Sequence, residues 1–596
     1  MCGIVGYIGA KQAAPIILAG LARLEYRGYD SAGIAVSNGE EISIAKAVGK
    51  LENLNKKIDG GKKIEGTSGI GHTRWATHGK PTEINAHPHY SKRFVLVHNG
   101  IIENEEALRR LYLKDVSFYS DTDTEVIAHL LQKFTDNGET APVAIQHLIS
   151  ELEGSYALAI LDKENPGVLY AVKNKSPLLI GKGKGFNMVG SDAMAMIGET
   201  KQFYEINDKE YAIITDSSVE IFTGYGKEIK REPYTVELDA SDAEKGTYPH
   251  YMLKEIEEQP AVIRRILNKY SNKDGELTID KKILEDVKAC DKIYIIACGT
   301  SYHAGIVGKQ FLEKIAKVPT EACIASEFVY NMPLLTKKPM FIFISQSGET
   351  ADCRAVLVKV KEMGFKTLTI TNVPGSTLSR EADHTLNLYA GPEIAVASTK
   401  AYTAQVAVLA ILAAQINNSI DINLNYELSK VSNAIEAVCD EKDRIALFAE
   451  DYLKDQRSCF YIGRSMDYFV CLEASLKLKE ISYIQTEGFA AGELKHGTIA
   501  LIETNTPVIA IISQENINLN TRSNIKEVKS RGAHVLTIST KAQSTQKDQI
   551  VLNDVHELLS PLVTVVPAQY LAYYAALQKG CDIDKPRNLA KSVTVE

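Results

Sequence analysis

The chain has little that would mark it for a membrane, for export or for nucleic acid. No apolar run approaches the roughly 18 residues that a membrane-spanning helix needs. The start, Met1-Cys2-Gly3-Ile4, has neither the basic stretch nor the apolar core of a secretory signal. There is no basic surplus: 67 lysines and arginines against 75 acids leave a net charge of −8, which argues against a nucleic-acid coat. Nine cysteines, an odd number, are scattered without a CxxC pair. Neither a disulfide framework nor a zinc knuckle is therefore expected, and a reducing cytoplasm is. No GxxxxGK[ST] loop occurs, so nucleoside-triphosphate chemistry is not indicated. Tryptophan is nearly absent, with Trp75 alone.

What is present is the composition of an ordinary enzyme, 45% apolar and 24% charged. At about 150 residues per domain, 596 residues predict roughly four compact units. Up to about residue 240 the pattern is short alternating strands (Gly3–Ile8, Gly33–Val36, Phe94–His98, Tyr156–Leu161, Val168–Lys173, Tyr211–Thr215). Helical stretches at Ala13–Leu24 and Thr124–Phe134 interrupt them, the second preceded by Asp123 as a cap. This predicts a layered α+β domain. A polar stretch, 239–250, reads as a linker. Strand then helix alternates afterwards (Lys292–Ala297, Met340–Ser345, Lys366–Thr371), the signature of a parallel doubly wound sheet. The pattern then repeats: Lys292–Ile296 with CGTS is echoed by Cys459–Ile462 with GRS, Pro339–Ile344 with SQSGET by Pro507–Ile512 with SQEN, and KTLTIT by HVLTIS. The glycine-rich GKGKG at 181–185 does not match a dinucleotide fingerprint and reads as a turn.

Cys2 lies next to the small Gly3, a context in which loss of Met1 leaves a thiol and a free α-amine on one residue. That amine, with an ordinary pKa near 8, can serve as the thiol's general base. Downstream stand Gly71-His72-Thr73-Arg74-Trp75-Ala76-Thr77-His78-Gly79, Asn85-Ala86-His87-Pro88, His98-Asn99-Gly100 and Ser120-Asp121-Thr122-Asp123. With Cys2-Gly3-Ile4-Val5-Gly6, this set resembles the glutaminase domain of the N-terminal-nucleophile amidotransferases over residues 2–240. The resemblance implies Cys2 as nucleophile, and the Asn99 side chain with the Gly100 N–H as oxyanion hole. It implies Arg74 on the substrate α-carboxylate, Asp123 on its α-ammonium, Thr77 and His78 as further substrate contacts, and Trp75 as the gate of an ammonia passage. His72, His78 and His87 also have a plain reading as structural histidines. With no carboxylate partner they make a weak metal site.

Ser345-Gln346-Ser347-Gly348-Glu349-Thr350 follows a strand and opens a helix, a neutral, donor-rich cradle for phosphate. With Cys298-Gly299-Thr300-Ser301 as the other wall, it resembles the sugar isomerase (SIS) domain. In the second copy Ser513-Gln514-Glu515-Asn516 sets a carboxylate where phosphate would lie, so only the first repeat is expected to bind it. Glu473, Lys477 and Glu480 fall on a helical stripe roughly 60° wide, flanked by apolar residues, with Lys479 and Ser482 on the side where water is expected. Gly492–Gly497 is a polar loop around His496, and the tail Leu589–Val595 is apolar enough to dock despite Lys591.

As a whole the chain resembles the amidotransferases that join such a glutaminase to paired SIS domains. The fold this implies is a layered αββα N-terminal-nucleophile glutaminase, then two α/β SIS domains with parallel doubly wound sheets. The expected bounds are 1–240 glutaminase, 241–250 linker, 251–430 first SIS domain with the sugar-phosphate site, 431–580 second SIS domain, and 581–596 a tail closing the sugar site. The activity implied is conversion of L-glutamine and fructose 6-phosphate to glutamate and glucosamine 6-phosphate, the first step of hexosamine synthesis, with ammonia channelled between the sites. Thr300, Ser301, Ser345, Gln346, Ser347, Thr350, Ser398, Glu473 and Lys477 would hold the sugar phosphate. Glu480 would move a proton between C1 and C2, His496 would open the ring and Lys591 would form a Schiff base. No metal or organic cofactor is implied, because a C–H beside an imine is acidic enough for a carboxylate base. Partners are the two small substrates, with neither nucleic acid nor membrane, and a homodimer. Thr498 stands after His496-Gly497 where the resemblance predicts proline. Two alternatives remain at this stage: a phosphoribosylpyrophosphate amidotransferase, whose two-acid loop is not found, and a non-catalytic phosphosugar-sensing SIS protein.

Overall fold

The computed structural model describes residues 2–25, 28–75, 79–235 and 244–594. It divides into two compact units, the first of residues 1–244 with 592–596 and the second of residues 245–591.

The first unit stacks two antiparallel sheets, one of eight strands and one of seven. The strand Gly3–Gly9 lies inside the larger sheet, paired antiparallel on one side with Ser68–Arg74 and on the other with Phe186–Gly190. Its residues Gly3 to Ile8 are all buried, so the start of the chain is a core strand. Ile4, Ile8 and Ile70 from this sheet meet Val95, Val97, Ala157 and Ala159 from the other, forming the layer between the sheets. The helix Ala13–Leu24 packs Ile17 and Leu21 on the outer face of the first sheet. Helices Thr124–Asp136 and Ala141–Glu151 cover the second. Four layers, α-β-β-α, result, in agreement with the expectation from sequence. The GKGKG stretch is the hairpin between Leu179–Lys182 and Phe186–Gly190, with Gly183 N–H donating to the Phe186 carbonyl.

In the second unit two five-stranded parallel sheets share one connectivity. In the first, Lys292–Ala297 lies between Thr320–Ile324 and Pro339–Ser345, followed by Lys366–Thr371 and His384–Asn387. In the second, Ser458–Gly463 lies between Gln485–Ala490 and Pro507–Ile512, followed by His534–Thr540 and Ile550–Leu552. Both have the order 2-1-3-4-5, in which ligands bind at the carboxyl ends of strands where the winding direction reverses. That reversal lies between the first and third strands of each sheet. CGTS and SQSGET flank it in the first repeat, GRS and SQEN in the second.

The two repeats share a single apolar core. At its centre the helices Lys400–Ile416 and Pro561–Gln578 are buried on nearly every face, as expected of helices hydrophobic all round. Among the described residues no helix is long and apolar enough to cross a membrane. Leu409 is fully buried in the first of these helices. Leu409→Ala is expected to cost about 2–5 kcal/mol of stability, through lost transfer energy plus the cavity left behind. Urea denaturation followed by far-UV circular dichroism measures it; a midpoint equal to that of the wild type would contradict the packing described.

Candidate active sites

In the first unit the sheet architecture brings distant residues to one pocket. Cys2, Arg74, Trp75, Gly100, Thr122 and Asp123 line it, together with His87, His98 and Thr124. Cys2 immediately precedes the core strand. Its Sγ accepts the Trp75 N–H at 3.3 Å and lies 3.5 Å from the Trp75 carbonyl. Burial pushes the thiol's pKa up, while the Trp75 N–H and the Arg74 guanidinium pull the other way. A thiol so placed needs a base to become a nucleophile. From the second sheet, Asn99 Nδ2 donates to the Cys2 carbonyl at 3.1 Å. His72 Nε2 lies 3.0 Å from both Asn99 Oδ1 and the His98 carbonyl. Both partners are acceptors, so that nitrogen carries the proton and fixes which end of the Asn99 amide faces Cys2. Gly100 has φ +139°, and a Cβ there would lie 1.9 Å from the Ser155 carbonyl oxygen, so only glycine fits.

Arg74 is buried and donates to the carbonyls of Gly79 at 3.2 Å and Lys80 at 3.4 Å. Asp123 corrects one expectation. It precedes the helix Thr124–Asp136 but makes no capping bond; its Oδ2 accepts the Ile102 N–H at 2.9 Å instead. The residue itself has helical φ and ψ, which takes the side chain away from the helix's free N–H groups. Trp75 is half-buried, edge-on to Tyr29 with ring centres 5.9 Å apart. Thr77 and His78 lie outside the described residues.

In the second unit the predicted stripe is part of the helix Met466–Ser482. Lys477 Nζ lies 2.7 Å from Glu480 Oε2 and 3.5 Å from Glu473 Oε1, and donates to Thr300 Oγ1 at 2.9 Å. Thr300 donates in turn to Glu473 at 3.1 Å. Burial alone would lower the Lys477 pKa, but Glu480 and Glu473 hold it above the usual value, so it stays an ammonium. His303, which sequence reasoning passed over, lies with Nδ1 2.8 Å from Glu473 Oε2. Its position one turn after Thr300 was the available signal. Ser482 corrects another expectation: it is fully buried, its hydroxyl bonded back to the Leu478 carbonyl, because the helix is enclosed on that side too.

The SQSGET loop is held by its own hydroxyls. Ser345 Oγ is 2.9 Å from Thr350 Oγ1 and accepts the Gly348 N–H at 2.9 Å, and Ser347 Oγ accepts the Glu349 N–H. Gly348 has φ +66° and no room for a Cβ, which would lie 1.9 Å from Ser376 Oγ. Gln346 is half-buried, with its backbone carbonyl accepting from Asn372. Ser301 Oγ accepts from Gln405 at 2.9 Å. Ser398 and Lys591 meet on a residue that no sequence signal singled out: Glu393 Oε2 accepts from both, at 2.7 and 2.5 Å. His496 ends a short helical turn, Glu493–His496, and is exposed. Among the described residues no hydrogen bond joins it to Glu473, Lys477, Glu480 or Lys591. Thr498 continues into a second short turn, Thr498–Leu501.

A carboxylate does bond into the second repeat's loop, but not the one expected. Glu515 is exposed. Asp467, fully buried at the start of the helix Met466–Ser482, accepts from both Ser513 N–H, at 2.9 Å, and Ser513 Oγ. Burial raises its pKa to about 7. The Ser513 N–H and hydroxyl that could meet an anion are thus already bonded from within.

His72, His87 and His89 share one physical situation. Burial lowers the His72 pKa to about 3 and those of the other two well below the usual 6.5. The unfolded chain takes up protons near pH 6.5 that the folded unit refuses, so stability present above that pH is lost as pH falls toward 3. The loss is at most about 1.4 kcal/mol per histidine per pH unit. Trp75, the sole tryptophan, reports unfolding of this unit. Its urea midpoint should be lower at pH 5.5 than at pH 7.5; equal midpoints would count against neutral buried histidines.

The glutamine amidotransferase domain model matches residues 72–198, and the SIS domain model matches twice, over 287–415 and 452–579. The chain is 60% identical to glutamine–fructose-6-phosphate aminotransferase (isomerizing) of Geobacillus kaustophilus, with all of both chains covered. It is also 60% identical to the protein of that name from Halalkalibacterium halodurans, again over the whole of both. Among solved structures, the C-terminal domain of glucosamine-fructose-6-phosphate aminotransferase from Francisella tularensis superposes with a TM-score of 0.55 at 38% identity, covering 57% of this chain and 99% of that one.

Proposed function

The chain belongs to the glutamine–fructose-6-phosphate aminotransferase (isomerizing) family, and we propose from this how its residues carry the amide nitrogen of L-glutamine to fructose 6-phosphate, giving glutamate and glucosamine 6-phosphate. The observation that carries the reading is the pairing of two sites in one chain. A half-buried thiol faces an amide and a glycine in the first unit, and a Glu–Lys–Glu row with a buried lysine bonds to Thr300 in the second. SIS models match the second unit, where a phosphoribosyltransferase would otherwise have to lie.

In the glutaminase site Cys2 attacks the side-chain amide of glutamine, with its own α-amine as base once Met1 is gone. The developing oxyanion is met by Asn99 Nδ2 and the Gly100 N–H, and His72 keeps that amide turned the right way. Arg74 and Asp123 take the substrate's α-carboxylate and α-ammonium, helped by Thr77 and His78, and Trp75 gates the ammonia. In the SIS half the phosphate sits on Ser345, Gln346, Ser347 and Thr350, with Thr300, Ser301 and Ser398 nearby. Lys591 condenses with the C2 ketone, and Glu480 carries the proton between C1 and C2. Lys477, held as an ammonium, would stabilise negative charge as it develops on the sugar. His496, exposed and free of the other groups, suits presentation to the sugar site of a second copy in a homodimer. Nine free cysteines suit a reducing, cytoplasmic setting.

Cys2→Ala should abolish glutamine-driven synthesis and leave synthesis from added ammonia intact; persistence of the glutamine-driven reaction would sink the assignment. Glu480→Gln should lower kcat about 10²–10⁴-fold with either nitrogen source, while glutamine hydrolysis by the first unit continues. Loss of less than tenfold would remove Glu480 from the proton transfer.

A further inference from the structure

Lys591 is the proposed Schiff-base residue, and its surroundings pose a chemical problem. Its side chain is 3% exposed, and Nζ donates to Glu393 Oε2 at 2.5 Å and to the Ala395 carbonyl at 2.8 Å. An amine held in this way is an ammonium, which has no lone pair to offer a ketone. Glu393 is itself fully enclosed and accepts from four donors. Oε1 takes the N–H groups of Thr399 and Ala401, at 2.9 and 3.0 Å, at the start of the helix Lys400–Ile416. Oε2 takes Lys591 and, at 2.7 Å, the Ser398 hydroxyl. Burial would raise the Glu393 pKa, but Lys591 and these donors bring it down to about 2.

The other charges facing Glu393 come from three elements. Glu255, on the helix Tyr251–Glu257, is fully buried and accepts from the N–H groups of Ile394 and Ala395. Burial and the neighbouring Glu393 raise its pKa to about 8, so it is neutral at pH 7 and adds no second negative charge. Lys400 is paired with Glu258 at 2.6 Å. Lys477 is close enough for Glu393 to add to its raised pKa. Glu393 is therefore a carboxylate committed to Lys591, with one side-chain hydroxyl, that of Ser398, among its other donors.

We propose that Glu393 is the base that takes the proton from Lys591 as the amine adds to the sugar, and that Ser398 sets the moment. This rests on the reading of Lys591 as the Schiff-base lysine and of Ser398 as a sugar contact. When the sugar draws the Ser398 hydroxyl away, Glu393 loses a hydrogen bond and becomes more basic. A proton passes from Nζ to Glu393 Oε2, and the freed lone pair forms the N–C2 bond while the carbonyl electrons move to oxygen. A proton moves from nitrogen to that oxygen, giving a carbinolamine. The C2–O bond then breaks, the hydroxyl leaving as water with the proton returned by Glu393. The products are an iminium and a carboxylate, so the buried pair carries the same charges before and after. Nothing has to be resolvated, because one positive charge on nitrogen faces one negative charge on Glu393 at both ends of the step.

The test is borohydride trapping of the full-length protein with fructose 6-phosphate from pH 6 to 10, with the labelled peptide identified by mass spectrometry. The wild type should label at Lys591 at a rate that varies little with pH. Glu393→Gln should label about 100-fold more slowly at pH 7, and regain at least about tenfold by pH 10, where a free lysine near pKa 10.4 deprotonates unaided. Glu393→Asp, a carboxylate one carbon short, should lose about tenfold and keep the wild-type pH profile. Ser398→Ala should raise the KM for fructose 6-phosphate without slowing trapping at saturation. Wild-type labelling rates in both Glu393 variants, or a loss in Glu393→Gln equal at every pH, would overturn the proposal. Should Glu393→Gln show no cooperative thermal transition, the Glu393→Asp rate and profile decide the matter by the same criteria. Labelling of the wild type at another residue, or nowhere, would instead remove the Schiff-base reading itself.

Discussion

A charged nitrogen can be kept out of water only if a carboxylate is kept with it, and the second unit is arranged around that constraint. Lys477 lies between Glu473 and Glu480, and Lys591 against Glu393. Removing one member of such a pair leaves an uncompensated buried charge, commonly a cost of about 3–5 kcal/mol. The pairs are spread over elements far apart in sequence: one helix supplies Glu473, Lys477 and Glu480, a loop supplies Glu393, and the tail supplies Lys591. The pair of Glu393 and Lys591 therefore ties the tail to a distant loop. Burial also makes these groups sensitive to their partners, since a hydrogen bond gained or lost by an enclosed carboxylate shifts its basicity more than it would in water.

The two SIS repeats carry differently bonded loops on one backbone. Both present two loops at the reversal point of a 2-1-3-4-5 parallel sheet, with a helix start aimed at the gap. In the first repeat the loop hydroxyls bond to one another and to backbone N–H groups. In the second, Ser513 is bonded through its N–H and hydroxyl to the buried Asp467. The glutaminase unit uses a different device: two sheets face each other, so that the residue ahead of a central strand of one meets Asn99 and Gly100 of the other.

Much of this architecture was legible in the chain. The helix Ala13–Leu24 and the strands Lys292–Ala297, Lys366–Thr371 and Pro507–Ile512 have the bounds that periodicity predicts. Regular hydrophobic spacing reports an element's buried face directly, and repeated strand–loop phrases report repeated units. The row Glu473, Lys477 and Glu480 was legible too, because helical spacing alone sets three residues on one stripe. What was misread depended on a partner distant in sequence. Asp123 looked like a cap but bonds to Ile102; Ser482 looked solvent-facing but is enclosed; Glu515 looked like the blocking acid but points outward.

Sequence by itself determined the classes of element, the tandem repeat and most of the residue types that chemistry requires, since these follow from local spacing and from motifs a few residues long. Only the tertiary structure decided that Lys477 meets Thr300, that Asp467 bonds Ser513 of the second repeat's loop, and that His72 sets the Asn99 amide. It also decided that Glu393, in a loop with no distinguishing pattern, lies against Lys591 almost 200 residues later. The reason is physical. Local structure is set by neighbours along the chain, whereas pKa, hydrogen-bond partner and access to solvent are set by whatever packs against a side chain, and in a parallel α/β fold those groups come from distant crossovers.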